Sequence, residues 1–373
     1  MKKILNLLLF ISLTSYVSAQ TKSKIDSAVN TAIPIYMNDP IANGISIGIY
    51  KDGKQYTYNY GEVHKGKNDR PSKNTIYAIG SISKTMTGAL LAKAVLENKV
   101  KLDDDIRKYL VGDYPNLEYR GRPITMSLLL NHHSGLPYML PPDSVYSKGS
   151  NELQSIRLNE IFRHYTKADF FKDLHQVKID TFPGTTFHYS NTGAILAGYI
   201  MEKLYGISFE QLLKQQVTSK LKMTDTKILL NAAQNKRIAN GYDDKGKLMP
   251  RNPDGLQGAG GINSTVDDML KYISWQLNEN DNAVKLSHDP TWQTGDYWAG
   301  LNWQVLRGGN GQRIIWQSGN VAGFTSYCVL YPESKMGIVI LTNEESRSSA
   351  GLIENMVNHI ATSIIPTVVT LPK

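Results

Sequence analysis

Gly80-Ser81-Ile82-Ser83-Lys84, running into Thr85-Met86-Thr87-Gly88-Ala89-Leu90-Leu91-Ala92-Lys93-Ala94-Val95-Leu96, is the stretch on which the reading of this chain turns. Apolar residues fall on nearly every side of the segment from Thr85 to Leu96, which predicts a helix buried over most of its surface. Such a helix does not ordinarily open with two serines and a lysine. With Ser81 at the helix start, Lys84 lies one turn on over the same face, with Cβ atoms roughly 5–6 Å apart. An amine in a poorly solvated place has its charged form disfavoured, so it can act as base toward a neighbouring hydroxyl. The unpaired N–H groups and positive dipole end of the helix favour a developing oxyanion. A capping serine and a snorkelling lysine would spell the same letters. Partners elsewhere in the chain have to decide.

The chain has 373 residues, 41% hydrophobic and 20% charged, enough for a sizeable core and typical of a globular protein. Residues 1–19 read as a secretory leader. Lys2 and Lys3 start it, Ile4–Ile11 is apolar but for Asn6, and Val17-Ser18-Ala19 offers a small-residue cleavage site before Gln20. The run is too short to span a membrane, and no second long apolar run follows, so no stable span is expected after cleavage. The expected address is periplasmic or secreted. Loss of Lys2 and Lys3 takes the formal charge from +8 to +6. The basic residues are scattered, without a block or aromatic interleaving, which argues against nucleic-acid binding. The single cysteine, Cys328, makes no intrachain disulfide. There is no H-E-x-x-H and no Cys/His cluster, and His132-His133 is too isolated a pair for a metal. No cofactor is expected.

Along the chain, residues 22–36 place Ile25, Val29, Ala32 and Ile33 at helical spacing. Ile45–Tyr50 and Gln55–Tyr60 flank Lys51-Asp52-Gly53-Lys54, a hairpin signal. Gly44-Ile45-Ser46-Ile47-Gly48 matches a nucleophile elbow by letter, but it lies within a strand leading to a turn, and the elbow needs a strand before it and a helix after it. After an aspartate-rich connection over Lys101–Tyr109 come a short helix at Ile124–Leu130 and a polar turn at Asn131–Pro137. Residues 138–180 have weak periodicity and read as a long excursion forming one wall of a site. Phe182-Pro183-Gly184 is a turn, and helices are expected over Ala194–Leu204 and Phe209–Leu221. Gly258-Ala259-Gly260-Gly261 is flexible or closely approached backbone, and Ser264–Asp268 caps a further helix. Strands are expected at Gly300–Leu306, Arg313–Gln317, Thr325–Tyr331 and Gly337–Thr342, then a closing helix over 350–364. Strands at both ends with helices between them predict an α/β (α+β) fold. Its sheet is assembled from about 20–80 and 262–373, with a mostly helical region inserted over about 81–261.

Within this order the partners of Ser81 emerge. Ser81-x-x-Lys84, Tyr189-Ser190-Asn191 and Gln317-Ser318-Gly319 resemble the three motifs of the serine β-lactamase and penicillin-binding-protein superfamily. Asn131–Pro137 is similar to the family's H-x-S/T-G-L-P turn, Gly260–Thr265 to its G-G-x-x-S-T element, and Gly323-Phe324 to the G-F after the third motif. The likeness runs from about Ile45 to about Asn343. Tyr-x-Asn as second motif resembles the class C branch, and Tyr60-Gly61-Glu62 with Pro123-Ile124-Thr125 resembles its exported peptidoglycan carboxypeptidase/endopeptidases.

The resemblance implies a central antiparallel sheet flanked by helices, β-lactamase/transpeptidase-like. It also implies roles. Ser81 Oγ attacks a carbonyl and forms an acyl-enzyme; Lys84 relays or accepts its proton; Tyr189 serves as phenolate-like base or as proton donor to the leaving group. Asn191 bonds Lys84 or the substrate amide. Ser318 and Gly319 border the substrate, and the N–H groups of Ser81 and Asn320 form the oxyanion hole. Two departures stand out. Gln317 replaces the Lys or His that usually opens the third motif, so its amide is expected to reach Tyr189 or a substrate without bringing charge. Arg313 lies on the same strand face, but roughly four residues of ~3.3 Å away. Met139 stands where class C β-lactamases usually have a glutamine holding the substrate amide, which argues against efficient β-lactam hydrolysis.

The leading functional reading is an exported serine hydrolase acting on amides or esters, with D-amino-acid peptides and peptidoglycan fragments as substrates. A class C-like esterase or weak β-lactamase is the alternative enzyme. A catalytically silent cell-wall peptide binder is the non-enzymatic one, opposed by retention of Ser81, Lys84, Tyr189 and Asn191 together. Oligomeric state is left open by the sequence.

Overall fold

In the computed structural model, which describes residues 2–145, 151–251, 254–346, 348–365, 367, 368 and 370, the sheet begins with the expected hairpin. Strands Ile45–Lys51 and Lys54–Tyr60 pair antiparallel, Ile45 opposite Tyr60. The turn has φ of 49° at Asp52 and 84° at Gly53. That pair of positive values matches the twist of a two-residue hairpin loop, and the Asp-Gly dipeptide supplies it at little cost.

Among the described residues the hairpin joins an antiparallel sheet of eight strands. Across it the order is Lys54–Tyr60, Ile45–Lys51, Met336–Thr342, Phe324–Tyr331, Arg313–Val321, Gln304–Arg307, Tyr297–Ala299 and Trp292–Thr294. The first strand of the chain thus lies against the last, Ile45 opposite Thr342, so both ends of the sequence build one sheet. Both faces are covered, so the strands read as nearly continuous apolar runs while alternating in destination. Ile45, Ile47, Ile49, Ile338 and Ile340 pack under helices Lys2–Met37 and Ser349–Ile364. Val339, Leu341, Cys328 and Ile315 face the other way, into the core shared with helices Ser83–Leu96 and Val266–Gln276.

Several expectations are refined. The N-terminal helix is longer than residues 22–36, running Lys2–Met37. Ser46 is fully buried and bonds Asn59 at 2.7 Å and the Tyr77 hydroxyl at 3.0 Å, which disposes of the elbow match. Among its described residues the excursion over 138–180 contains the α-helices Asn151–Phe162 and Lys167–Leu174, the second opened by a Thr166/Asp169 capping box. The helix expected over Phe209–Leu221 is α only to Leu213 and continues as a π-turn, Lys214–Thr218. The strand expected over Gly300–Leu306 divides into Tyr297–Ala299 and Gln304–Arg307, with Gly300 N–H donating to Trp303 O between them. Among the described residues no helix is long and apolar enough to cross a membrane.

Candidate active site

The site forms where the entry to the Ser83–Leu96 helix meets the Arg313–Val321 strand. The α-helix begins at Ser83, later than expected, because Gly80–Ile82 is a 3₁₀ turn. A Cβ on Gly80 would come within 2.9 Å of Asn320 N, and one on Gly319 within 2.8 Å of Ser81 N and 2.4 Å of Ile79 O. Only glycines let these two backbones approach so closely, and the approach brings Ser81 and Asn320 to one cleft. That cleft, of about 140 Å³, is lined by Ser81, Asn191 and Asn320 and walled by Tyr138, Met139, Leu158 and Phe162. The excursion does form one wall.

Lys84 is completely buried rather than snorkelling. Its Nζ lies 2.9 Å from Ser81 Oγ, 2.7 Å from Asn191 Oδ1 and 2.5 Å from Ala259 O. Tyr189 donates its hydroxyl to Ser81 Oγ at 2.6 Å. Ser81 is no helix cap, since the partners of its oxygen are an amine and a phenol. Nor is Asn191: Ser190 caps the Asn191–Tyr205 helix by accepting from Gly193 N–H at 3.0 Å, which leaves the Asn191 amide for Lys84.

Burial disfavours the ammonium and pulls the Lys84 pKa down to about 7; it disfavours the phenolate and pushes Tyr189 up to about 12, despite the bond to Ser81. At neutral pH the tyrosine is therefore protonated and a large share of Lys84 is the free amine. The geometry suits that form. A neutral amine has two N–H groups, which Asn191 Oδ1 and Ala259 O accept, and its lone pair then faces the Ser81 hydroxyl. His132, with φ of 64°, stacks on Tyr189 at 4.2 Å between centroids. Its Nδ1 accepts from Ser190 N–H at 3.2 Å, so Nε2 carries the proton, and burial, then Lys84, drives its pKa down to about 3.

The third motif is only partly where expected. Gly319 meets Ser81, Asn320 meets Gly80, and Ser318 sits half-buried before them. Gln317 is buried on the site's face of the sheet, but its amide is engaged: Nε2 donates to Asn302 O at 2.9 Å and Oε1 accepts from Ser318 N–H at 3.1 Å. The expected reach to Tyr189 or a substrate gives way to these backbone bonds. Asn302 in turn donates to Lys84 O at 3.0 Å, so Gln317 braces the helix from behind. Arg313 is held by Glu279 and Glu333 at 2.7 Å each. Sequence reasoning missed Ala259 and Asn302 as partners. The glycine run 258–261 was the available signal: a Cβ on Gly258 would meet Thr87 Oγ1 at 2.1 Å, so this backbone is pressed onto the buried helix.

Known proteins point the same way. The sequence profile of the β-lactamase family matches residues 32–361. The chain is 27% identical over 362 residues to a β-lactamase of Escherichia coli K12, covering 86% of this chain and 89% of that one. It is 24% identical over 341 residues to the D-alanyl-D-alanine-carboxypeptidase/endopeptidase AmpH of the same strain, covering 87% and 85%. It is 29% identical over 333 residues to protein flp of Staphylococcus aureus MRSA252, covering 86% of this chain and 63% of that protein. The chain belongs to the β-lactamase family and is a serine hydrolase.

Proposed function

We propose that this is an exported hydrolase that cleaves amide or ester bonds through a Ser81 acyl-enzyme, with D-amino-acid peptides of the peptidoglycan type as substrates. The observation that carries the reading is the unbroken hydrogen-bond chain Tyr189–Ser81–Lys84, with Lys84 sealed from water. Ser81 Oγ attacks the carbonyl carbon while its proton passes to the Lys84 lone pair. The oxyanion is received by the N–H groups of Ser81 and Asn320. When the bond to the leaving group breaks, Tyr189 gives its proton to the departing nitrogen or oxygen and recovers one from the Lys84 ammonium, whose Nζ lies 4.9 Å from the phenol ring centroid. Water then attacks the acyl-enzyme by the same route in reverse. Tyr189, with its pKa at about 12, fits a proton donor better than a standing phenolate.

Support for peptide substrates comes from the likeness to AmpH, and support for export from the leader-like residues 1–19. The engaged amide of Gln317 favours a second reading, a hydrolase of small uncharged esters, because this motif brings no cation to receive a carboxylate. An intact proton chain speaks against a silent binder. The test is to incubate the protein with a fluorescent penicillin and with a fluorophosphonate and to map the adducts by mass spectrometry. Both are expected on Ser81. Labelling at another residue, or none with either reagent, overturns the reading.

A further inference from the structure

Glu344 and Glu345 are neighbours with opposite surroundings. Glu344 is fully buried, and its carboxylate accepts from Ser349 Oγ at 2.5 Å, from the Tyr36 hydroxyl at 3.2 Å and from Thr342 Oγ1 at 3.2 Å. Glu345 instead lines the cleft that holds Ser81, Asn191 and Asn320. Its carboxylate accepts one hydrogen bond, from Gly323 N–H at 3.2 Å, and among the described residues no cation pairs with it. A carboxylate offers about four acceptor sites, so most of this one is unspent. Burial raises its pKa first, and the adjacent Glu344 adds to that. Glu345 is partly exposed at the cleft, so a ligand that covers it has to supply a donor or leave the carboxylate unsatisfied.

The rest of the cleft narrows what that is. Among the described lining residues Glu345 is the one that carries a formal charge; Met139, Leu158, Phe162, Leu256 and Val321 are apolar. The Lys84 amine is turned to Ser81, Asn191 and Ala259. Gln317 brings no charge, and Arg313 is spent on Glu279 and Glu333. Among the described residues the strand side therefore offers no unpaired cation to a substrate carboxylate, and it offers the Glu345 carboxylate.

We propose that Glu345 is a specificity-determining residue, and that the cleft selects substrates carrying an ammonium group on an apolar stem over those carrying a carboxylate in its place. The inference rests on the Ser81 acyl-enzyme reading and names the substrate class of that site. An ammonium beside Glu345 supplies the missing partner and makes a charge-assisted bond in a partly water-excluded place. A carboxylate on the same stem meets like charge.

The experiment uses three p-nitrophenyl esters on similar linear stems: the 6-aminohexanoate, its N-acetyl derivative and the mono-adipate. Wild-type kcat/KM should fall in that order, with the ammonium ester ahead of the carboxylate ester by about tenfold or more, the worth of one charge-assisted bond. Glu345→Gln keeps an oxygen for Gly323 N–H and should reduce that ratio by about tenfold. Glu345→Lys should invert it. A wild-type ratio at or below one, or a ratio that neither variant moves, overturns the proposal. Fluorophosphonate labelling of Ser81 and turnover of the N-acetyl ester separate the two levels. If both occur and the ratio is flat, this inference alone falls. If Ser81 neither labels nor turns over any ester, the acyl-enzyme reading falls and takes this one with it.

Discussion

The two walls of the cleft are built on different terms. The helical wall presents Lys84, Tyr189 and Asn191, side chains bonded to one another, to Ser81 or to backbone. The strand wall presents backbone at Gly319 and Asn320, a glutamine turned to its own neighbours and a glutamate with one partner. Acid–base chemistry needs side chains held at fixed separations, and a helix turn with its packed neighbour provides them. Selection among substrates needs groups left unsatisfied until the substrate arrives. On the roles proposed above, the walls divide the work between chemistry and choice, and changes to each should fail differently.

The sharpest break is Ser81→Ala. It should abolish labelling by penicillin and fluorophosphonate and all hydrolysis, with the circular dichroism spectrum retained, because Ser81 is held by Lys84 and Tyr189 and packs little. Full turnover in that variant would place the nucleophile elsewhere. Next comes Lys84→Met, near in volume but unable to take a proton. It should cost roughly 10²–10⁴ in kcat, the worth of a positioned base. The wild-type profile carries the sign. The amine is active when neutral, so kcat/KM should rise with pH through about 7, the burial-lowered pKa of Lys84, and level off above it. The variant should lose that limb. A loss under about threefold, or a profile that keeps the limb, would remove Lys84 from the base role.

On the strand wall the largest effect belongs to backbone. Gly319→Ala puts a Cβ 2.4 Å from Ile79 O and 2.8 Å from Ser81 N, so the strand and the 3₁₀ turn have to part. Loss of one oxyanion donor is worth about 10²–10³ in kcat, and the expected drop lies in that range with KM changed much less. An equal rise in KM would make Gly319 a binding position instead.

This division also explains what the sequence revealed and what it hid. The cluster of Ser81, Lys84, Tyr189 and Asn191 was legible because the order of these residue types along the chain is itself a pattern, and the structure brings the four together. The hairpin at Asp52-Gly53 and the strands 324–331 and 336–342 were legible because backbone twist and period-two burial leave letters behind. Ala259 was not, because it contributes a carbonyl oxygen that every residue type possesses. The direction of the Gln317 amide depends on Asn302, fifteen positions away, and on no local rule. Helix Asn151–Phe162 escaped for a related reason. It packs through Leu158 and Phe162 against the cleft, with too few apolar residues on one face to show a period.

The smallest expected effect tests the strand wall where sequence and structure disagree most. Read from the resemblance alone, Gln317→Lys restores a missing cation and should favour carboxylate substrates by roughly 10- to 150-fold. The bonds around Gln317 argue otherwise. Its Nε2 is directed at Asn302 O and away from the cleft lining, and its Oε1 holds Ser318 N–H. A lysine can keep the first bond through its ammonium, which then points at the Asn302 carbonyl, but it leaves Ser318 N–H without its acceptor. The expected outcome is a lower Tm and a carboxylate-to-neutral ester ratio within about threefold of wild type, some 0.6 kcal/mol at 1.36 per tenfold. Glu345→Lys, by contrast, should move that ratio by about tenfold or more. Measured side by side, the two lysines ask which position sets the charge of the strand wall. A large shift at 317 with none at 345 would return that role to the third motif.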